Sequence, residues 1–199
     1  MTGSRDAILD ALRNGRGPSR SAPAYPLPLS NENPVARFIA KAKACVAEVQ
    51  LIFSPDDAPE AIFALLAAAG ARPRLHIPAV SPLNQLPWQR APGLTLTDTP
   101  PSGEDAAFSA ADFGIGETGT LVFFSGAKSH SSWHYRPGRE IVLIHRTQIL
   151  PRFEDVIARI PAMPATVNLV TGPSRTADIE QTIELGAHGP RSLHILLAG

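Results

Sequence analysis

Two short stretches of the 199-residue chain hold the groups best suited to chemistry. The first is Thr171-Gly172-Pro173-Ser174-Arg175-Thr176, with Asp178 and Glu180 just beyond it. A guanidinium offers planar, two-pronged recognition of a carboxylate or phosphate that lysine does not reproduce. Ser174 and Thr176 add hydroxyl donors, and Gly172 lets backbone come close to a bound group. The second stretch is Gly114-Ile115-Gly116-Glu117-Thr118-Gly119-Thr120. Glu117 is its candidate acid, base or nucleophile, flanked by Thr118 and Thr120 as donors and shaped by Gly116 and Gly119. Each stretch also has a plain structural reading: Ser174 or Thr176 caps a helix, Arg175 is a solvated arginine, and the glycines close a loop.

Other chemistries are weakly supported. Gly114–Gly119 spells G-x-G-x-x-G, but a dinucleotide loop needs a helix after it so that the helix N-terminus meets the pyrophosphate. The next residues are Thr120-Leu121-Val122-Phe123-Phe124, a strand sequence, so the expectation is a tight turn or bulge. His130 and His134 are four apart in a serine-rich stretch with no helical face to bring them together. No metal site is expected there, and Ala127–Gly138 reads as an exposed polar loop. Cys45 is the single cysteine, so the chain lacks the ligands for a cluster of its own or for an internal disulfide. No cofactor is expected.

Periodicity and punctuation give the helices and strands that carry these groups. With 44% hydrophobic and 18% charged residues the chain has enough apolar material for a real core. Its 18 basic and 18 acidic residues cancel, which removes the electrostatic footprint of a nucleic-acid binder. No apolar run is long enough to span a membrane and no signal-peptide pattern opens the chain, so a cytoplasmic protein is expected. Residues 1–31 read as a short helix at Asp6–Arg13 and a mobile linker rich in proline and serine; residues 32–199 read as one domain. Within it, helices are predicted after Asn33, over Pro59–Ala69 and over Pro151–Ile160. Strands are predicted at Cys45–Phe53, Leu75–Ile77, Leu94–Asp98, Glu140–His145, Thr166–Val170 and Leu193–Leu197. After Arg175 the spacing predicts another helix, with Asp178 and Glu180 in its first turn and Ile183 and Leu185 completing it. Alternating strands and helices, the strands near-continuously apolar, indicate a layered α/β domain with a mainly parallel sheet.

Three motifs also resemble a known family. Gly114–Val122 (G-I-G-E-T-G-T-L-V), Val170–Glu180 (V-T-G-P-S-R-T-A-D-I-E) and Gly186–Leu196 (G-A-H-G-P-R-S-L-H-I-L) are similar, in order and spacing, to the lactate utilization protein C family, or LUD domain. Tyr135-Arg136-Pro137-Gly138 departs from the leucine-proline turn usual in members. The resemblance implies a NagB/RpiA/CoA-transferase-like fold, a three-layer α/β/α sandwich. It implies a part in oxidising L-lactate to pyruvate beside iron–sulfur protein partners, and it brings His188 into the candidate ligand set. Since lactate oxidation needs a cofactor that this chain has no means to hold, the expected share is binding, assembly or regulation. The alternatives are an independent enzyme on an acyl-CoA or phosphorylated small molecule, with Glu117 as its carboxylate, and a small-anion sensor.

Overall fold

Asn33 ends extended backbone and starts a helix, its side chain accepting the N–H groups of Val35 and Ala36 at 2.9 and 3.2 Å, with Pro34 at the first position. A computed structural model describes residues 3–15, 32–78, 82–126, 131–177, 183–185 and 189–199. The chain divides into two units, Met1–Asn31 and Glu32–Gly199. In the first, Ser4–Asn14 forms helix α1, which buries none of its residues; the linker expected after it lies outside the described residues from Arg16 to Asn31. The second begins with α2 (Pro34–Ala44) and β1 (Glu48–Ile52). A capping box at Ser54 and Asp57 leads into α3 (Ala58–Ala68), with β2 (Arg74–His76) and β3 (Thr95–Thr97) after it. Then come β4 (Ala106–Ala110), β5 (Phe113–Ile115), β6 (Thr120–Phe124), β7 (Arg139–His145) and β8 (Ile149–Leu150). The described elements end with α4 (Phe153–Ile157), β9 (Val167–Val170), β10 (Arg175–Ala177), β11 (Ile183–Leu185) and β12 (Ser192–Ala198).

Six strands form a sheet in the order β1-β12-β7-β4-β2-β3, every neighbouring pair parallel, which is the α/β architecture expected. Side chains alternate between its faces. Ile141, Leu143 and Leu196 meet Ile62 and Leu66 of α3 on one side. Val142, Ile144, Ile195 and Leu197 meet Phe38 and Ala42 of α2 on the other. Each such large side chain, fully buried, contributes about 1.5–3 kcal/mol. The α2 face is shared with a second sheet, of order β8-β5-β6-β9, whose Leu121 and Phe123 enter the same core. One outer layer is therefore part helix and part sheet.

Four expectations need correction. Among the described residues the segment from Arg175 is strand, not helix: β10 and β11 pair antiparallel, Arg175 opposite Leu185 and Ala177 opposite Ile183. Its few apolar residues fit period 2 as well as period 3.6, and pairing decides. Thr166–Val170 is not a buried parallel strand; β9 runs antiparallel to β6, with Leu169 48% exposed. The Pro151–Ile160 helix shrinks to the five residues of α4, with Val156 buried. Ala127–Gly138 is not wholly exposed, since Trp133 and His134 are 4% and 1% exposed.

Candidate functional site

Gly116–Gly119 is the turn of the β5–β6 hairpin, closed by the Gly119 N–H donating to Ile115 O at 2.9 Å. The glycines serve packing. A Cβ on Gly119, whose φ is +72°, would overlap the Ala42 nitrogen, and one on Gly116 would meet Pro34 O. The turn is pressed against α2, so the close approach expected of a ligand is made by a helix. Glu117 is engaged as well. Its N–H donates to Pro151 O at 3.0 Å and its Oε1 accepts the Phe153 N–H at 3.2 Å, at the start of α4. Thr118 is exposed, while Thr120 is buried and hydrogen-bonds both Thr118 at 2.7 Å and Thr171 at 2.6 Å.

Thr171 begins the other stretch. Gly172 turns the chain with φ +70°, and a Cβ there would overlap Cys45 O. The Ser174 N–H then donates to Pro190 O at 2.8 Å, which ties the stretch to the approach to β12. Together these segments wall a cavity of about 530 Å³ lined by Cys45, His134, Tyr135, Thr171, Gly172, Ser174, Arg175 and Pro190 among others. Cys45, Tyr135 and Pro190 shortly precede β1, β7 and β12, so the cavity lies where these strands begin. Open parallel sheets usually bind ligands at the opposite end.

Of the expected set, Gly172, Ser174 and Arg175 line this cavity, and Thr120 reaches it through Thr171. Gly116, Glu117, Thr118 and Gly119 do not line it. Thr176 lies in β10, whereas Asp178, Glu180 and His188 fall outside the described residues. Arg175 is exposed and carries no ion pair among the described residues.

Sequence reasoning missed a buried pair at the cavity wall. His134 Nδ1 stands 2.6 Å from Glu140 Oε1, and both side chains are fully enclosed. Ser109 Oγ donates to the same carboxylate oxygen at 3.3 Å, and the imidazole stacks on Phe123 with centroids 3.9 Å apart. Tyr135 OH donates to Asn168 Oδ1 at 3.2 Å beside them. The signal lay in Glu140, which alternation puts on the same sheet face as Val142 and Ile144; a carboxylate there needs a partner. Nearby, burial pushes the Asp112 carboxyl above its ordinary range, although the Phe124 N–H donates to it at 2.7 Å and His134 also holds it down. On the α3 face, a second cavity of about 470 Å³ is lined by Glu48, Arg139, Ser192 and His194. Burial lowers the His194 pKa there, against the pull of Glu48, whose Oε2 is 3.3 Å from Nδ1. Among the described residues no group of three or more His, Cys, Asp or Glu is placed to hold a metal ion, and no helix is long and apolar enough to cross a membrane.

Comparison with known proteins agrees with this architecture. Residues 103–198 match the LUD domain. An uncharacterized Neisseria meningitidis protein is 38% identical over 96 residues, 46% of this chain and 41% of its own. Lactate utilization protein C of Halalkalibacterium halodurans is 29% identical over 118 residues, 55% of this chain and 51% of its own. The Geobacillus kaustophilus protein of the same name is 34% identical over 91 residues, 42% and 37% of the two chains. The chain thus spans about half or less of the length of these relatives. A crystal structure of a DUF162 family protein from Deinococcus radiodurans superposes with a TM-score of 0.62, at 21% identity over 86% of this chain and all of that one, which shows the fold. With the α/β sheet, the hairpin turn and the Thr171–Arg175 corner in place, the part of the chain that is similar to the LUD domain is residues 103–198.

Proposed function

We propose that this chain is a non-redox component, binding a small carboxylate, of a system that oxidises L-lactate to pyruvate. The observation that carries the reading is the convergence of Thr171, Ser174 and Arg175 on one cavity, in a domain whose relatives bear the name lactate utilization protein C. Taking two electrons from lactate requires a cofactor, since side chains do not carry hydride. Cys45 alone does not supply the ligands of a cluster, so the electron carriers are assigned to iron–sulfur partner proteins. The chain then contributes binding, assembly or regulation. The engagement of Glu117 at α4, away from the cavity, supports this over independent catalysis.

Calorimetric titration of L-lactate and pyruvate into the isolated chain, beside a turnover assay with an artificial electron acceptor, tests the proposal. Saturable carboxylate binding without turnover is expected. Turnover by the chain alone, or no carboxylate binding, overturns it. One observation favours a second reading: about 530 Å³ is room for a ligand larger than a three-carbon acid, such as an acyl-CoA or a phosphorylated small molecule. A CoA ester that binds and turns over would establish that reading instead.

A further inference from the structure

Arg139 opens β7, and alternation turns its side chain to the α3 face of the sheet, away from Glu140. Ser192 lies opposite it on β12, and His194 and Glu48 are paired further along the same face. These residues line the cavity of about 470 Å³ whose other wall includes Leu65 and Ala68, near the end of α3. Arg139 is the unmatched charge there. A guanidinium keeps its charge, yet among the described residues this one forms no ion pair. Its Nε is enclosed without a hydrogen-bond partner. The two terminal nitrogens are not enclosed and likewise make no hydrogen bond among the described residues, so their donors are open to the cavity. A half-buried cation without a partner has already given up part of its hydration, and it gains correspondingly more from an incoming anion.

We propose that this cavity is a second ligand site, in which the planar fork of Arg139 binds a small monocarboxylate with a hydrocarbon body. It does not depend on what the cavity at Arg175 holds. The surroundings limit the ligand to a single negative charge. Glu48, its Oε2 3.3 Å from His194 Nδ1, brings a carboxylate to the same cavity. The C-terminal end of α3 adds the partial negative charge of a helix dipole. His194 adds no full positive charge at neutral pH, because burial and then Arg139 lower its pKa against the pull of Glu48. One guanidinium facing these groups matches a carboxylate, whereas a phosphate dianion would be left with excess repulsion. The Ser192 hydroxyl is a further donor on the same wall, and Leu65 and Ala68 offer apolar surface to the ligand's carbon chain.

The test follows the ring resonances of His194 by NMR in the full chain at pH 7, assigned by their loss in His194→Gln. Butyrate, butyramide and inorganic phosphate are titrated in turn. Butyrate should shift the resonances saturably. It should bind about tenfold more tightly than butyramide, which has its shape without its charge, and more tightly than phosphate. Arg139→Gln removes the guanidinium and should weaken butyrate about tenfold. No saturable shift with butyrate overturns the assignment, as does butyramide or phosphate binding as tightly as butyrate. An Arg139→Gln protein that keeps the wild-type affinity for butyrate also overturns it. Should that variant not fold, Arg139→Lys, which keeps the charge and loses the fork, takes its place, and an undiminished affinity for butyrate is again the overturning result.

Discussion

The hydroxyls of Thr120 and Thr171, 51 residues apart in sequence, stand 2.6 Å from each other. Thr120 gives its one proton to Thr118 at 2.7 Å, so Thr171 is the donor across the gap. This contact joins the β5–β6 hairpin to the corner that presents Arg175. Thr120→Val keeps the shape and removes the acceptor. It should cost about 1 kcal/mol, a fall of about 2–4 °C in thermal melts, and should weaken carboxylate binding. An unchanged affinity would show that Thr171 is placed by backbone alone.

Gly172 admits no side chain, being left-handed at φ +70° with the Cys45 carbonyl where a Cβ would lie. Both faults act in Gly172→Ala, and the midpoint of urea unfolding should fall by the equivalent of about 2 kcal/mol or more. Gly126→Ala is the control, since nothing lies within 4 Å of a Cβ there. Equal effects of the two would remove the packing account of the corner.

The main sheet is legible in the sequence because its strands are buried on both faces and read as apolar runs. Ile141–Ile144 and Leu193–Leu197 are examples, each pairing along its length. The hairpin at Gly116–Gly119 is legible because strand chemistry succeeds the glycines. The β10–β11 hairpin is not, because Ile183 and Leu185 serve either period and partner choice is non-local. In the site, residue type alone points to Arg175, whereas nothing local singles out His134. Its significance depends on Glu140 across the turn and on Phe123 against its ring, contacts that no spacing rule anticipates.

Val46 breaks a local rule. Helix α2 ends with the Ala47 N–H on Ala42 O and the Val46 N–H on Lys43 O, a Schellman arrangement whose left-handed position normally belongs to glycine. Val46 occupies it at φ 66° while 52% exposed, so strain is large and burial modest. Val46→Gly should stabilise the chain by about 1 kcal/mol, raising the melting temperature by about 2–4 °C. A lower melting temperature would mean that the isopropyl group packs better than its exposure indicates.

Stability should depend on pH through His194. Burial lowers its pKa below the ordinary 6.5, so near pH 6 the unfolded chain binds more protons than the folded one. Its contribution is present above the ordinary imidazole range and is lost as pH falls through the lowered folded value. Melting temperature should therefore climb between about pH 5 and pH 7, and less steeply in His194→Gln. Parallel profiles for the two proteins would assign the acid loss to other groups.

Arg175 decides between a site and a scaffold. It opens β10, where its backbone pairs with Leu185, and its side chain is exposed at the cavity. Arg175→Lys keeps the charge and the strand, and removes only the planar fork. If the guanidinium holds a carboxylate, affinity for lactate should fall about tenfold, near the lower end for a charge-assisted hydrogen bond because the group is exposed. The melting temperature should stay within about a degree, as expected of an exposed substitution that breaks no buried contact. The scaffold account predicts the reverse: a lower melting temperature with binding unmoved. Melts and titrations of the same two preparations separate the accounts, and the reverse pattern would remove Arg175 from the site.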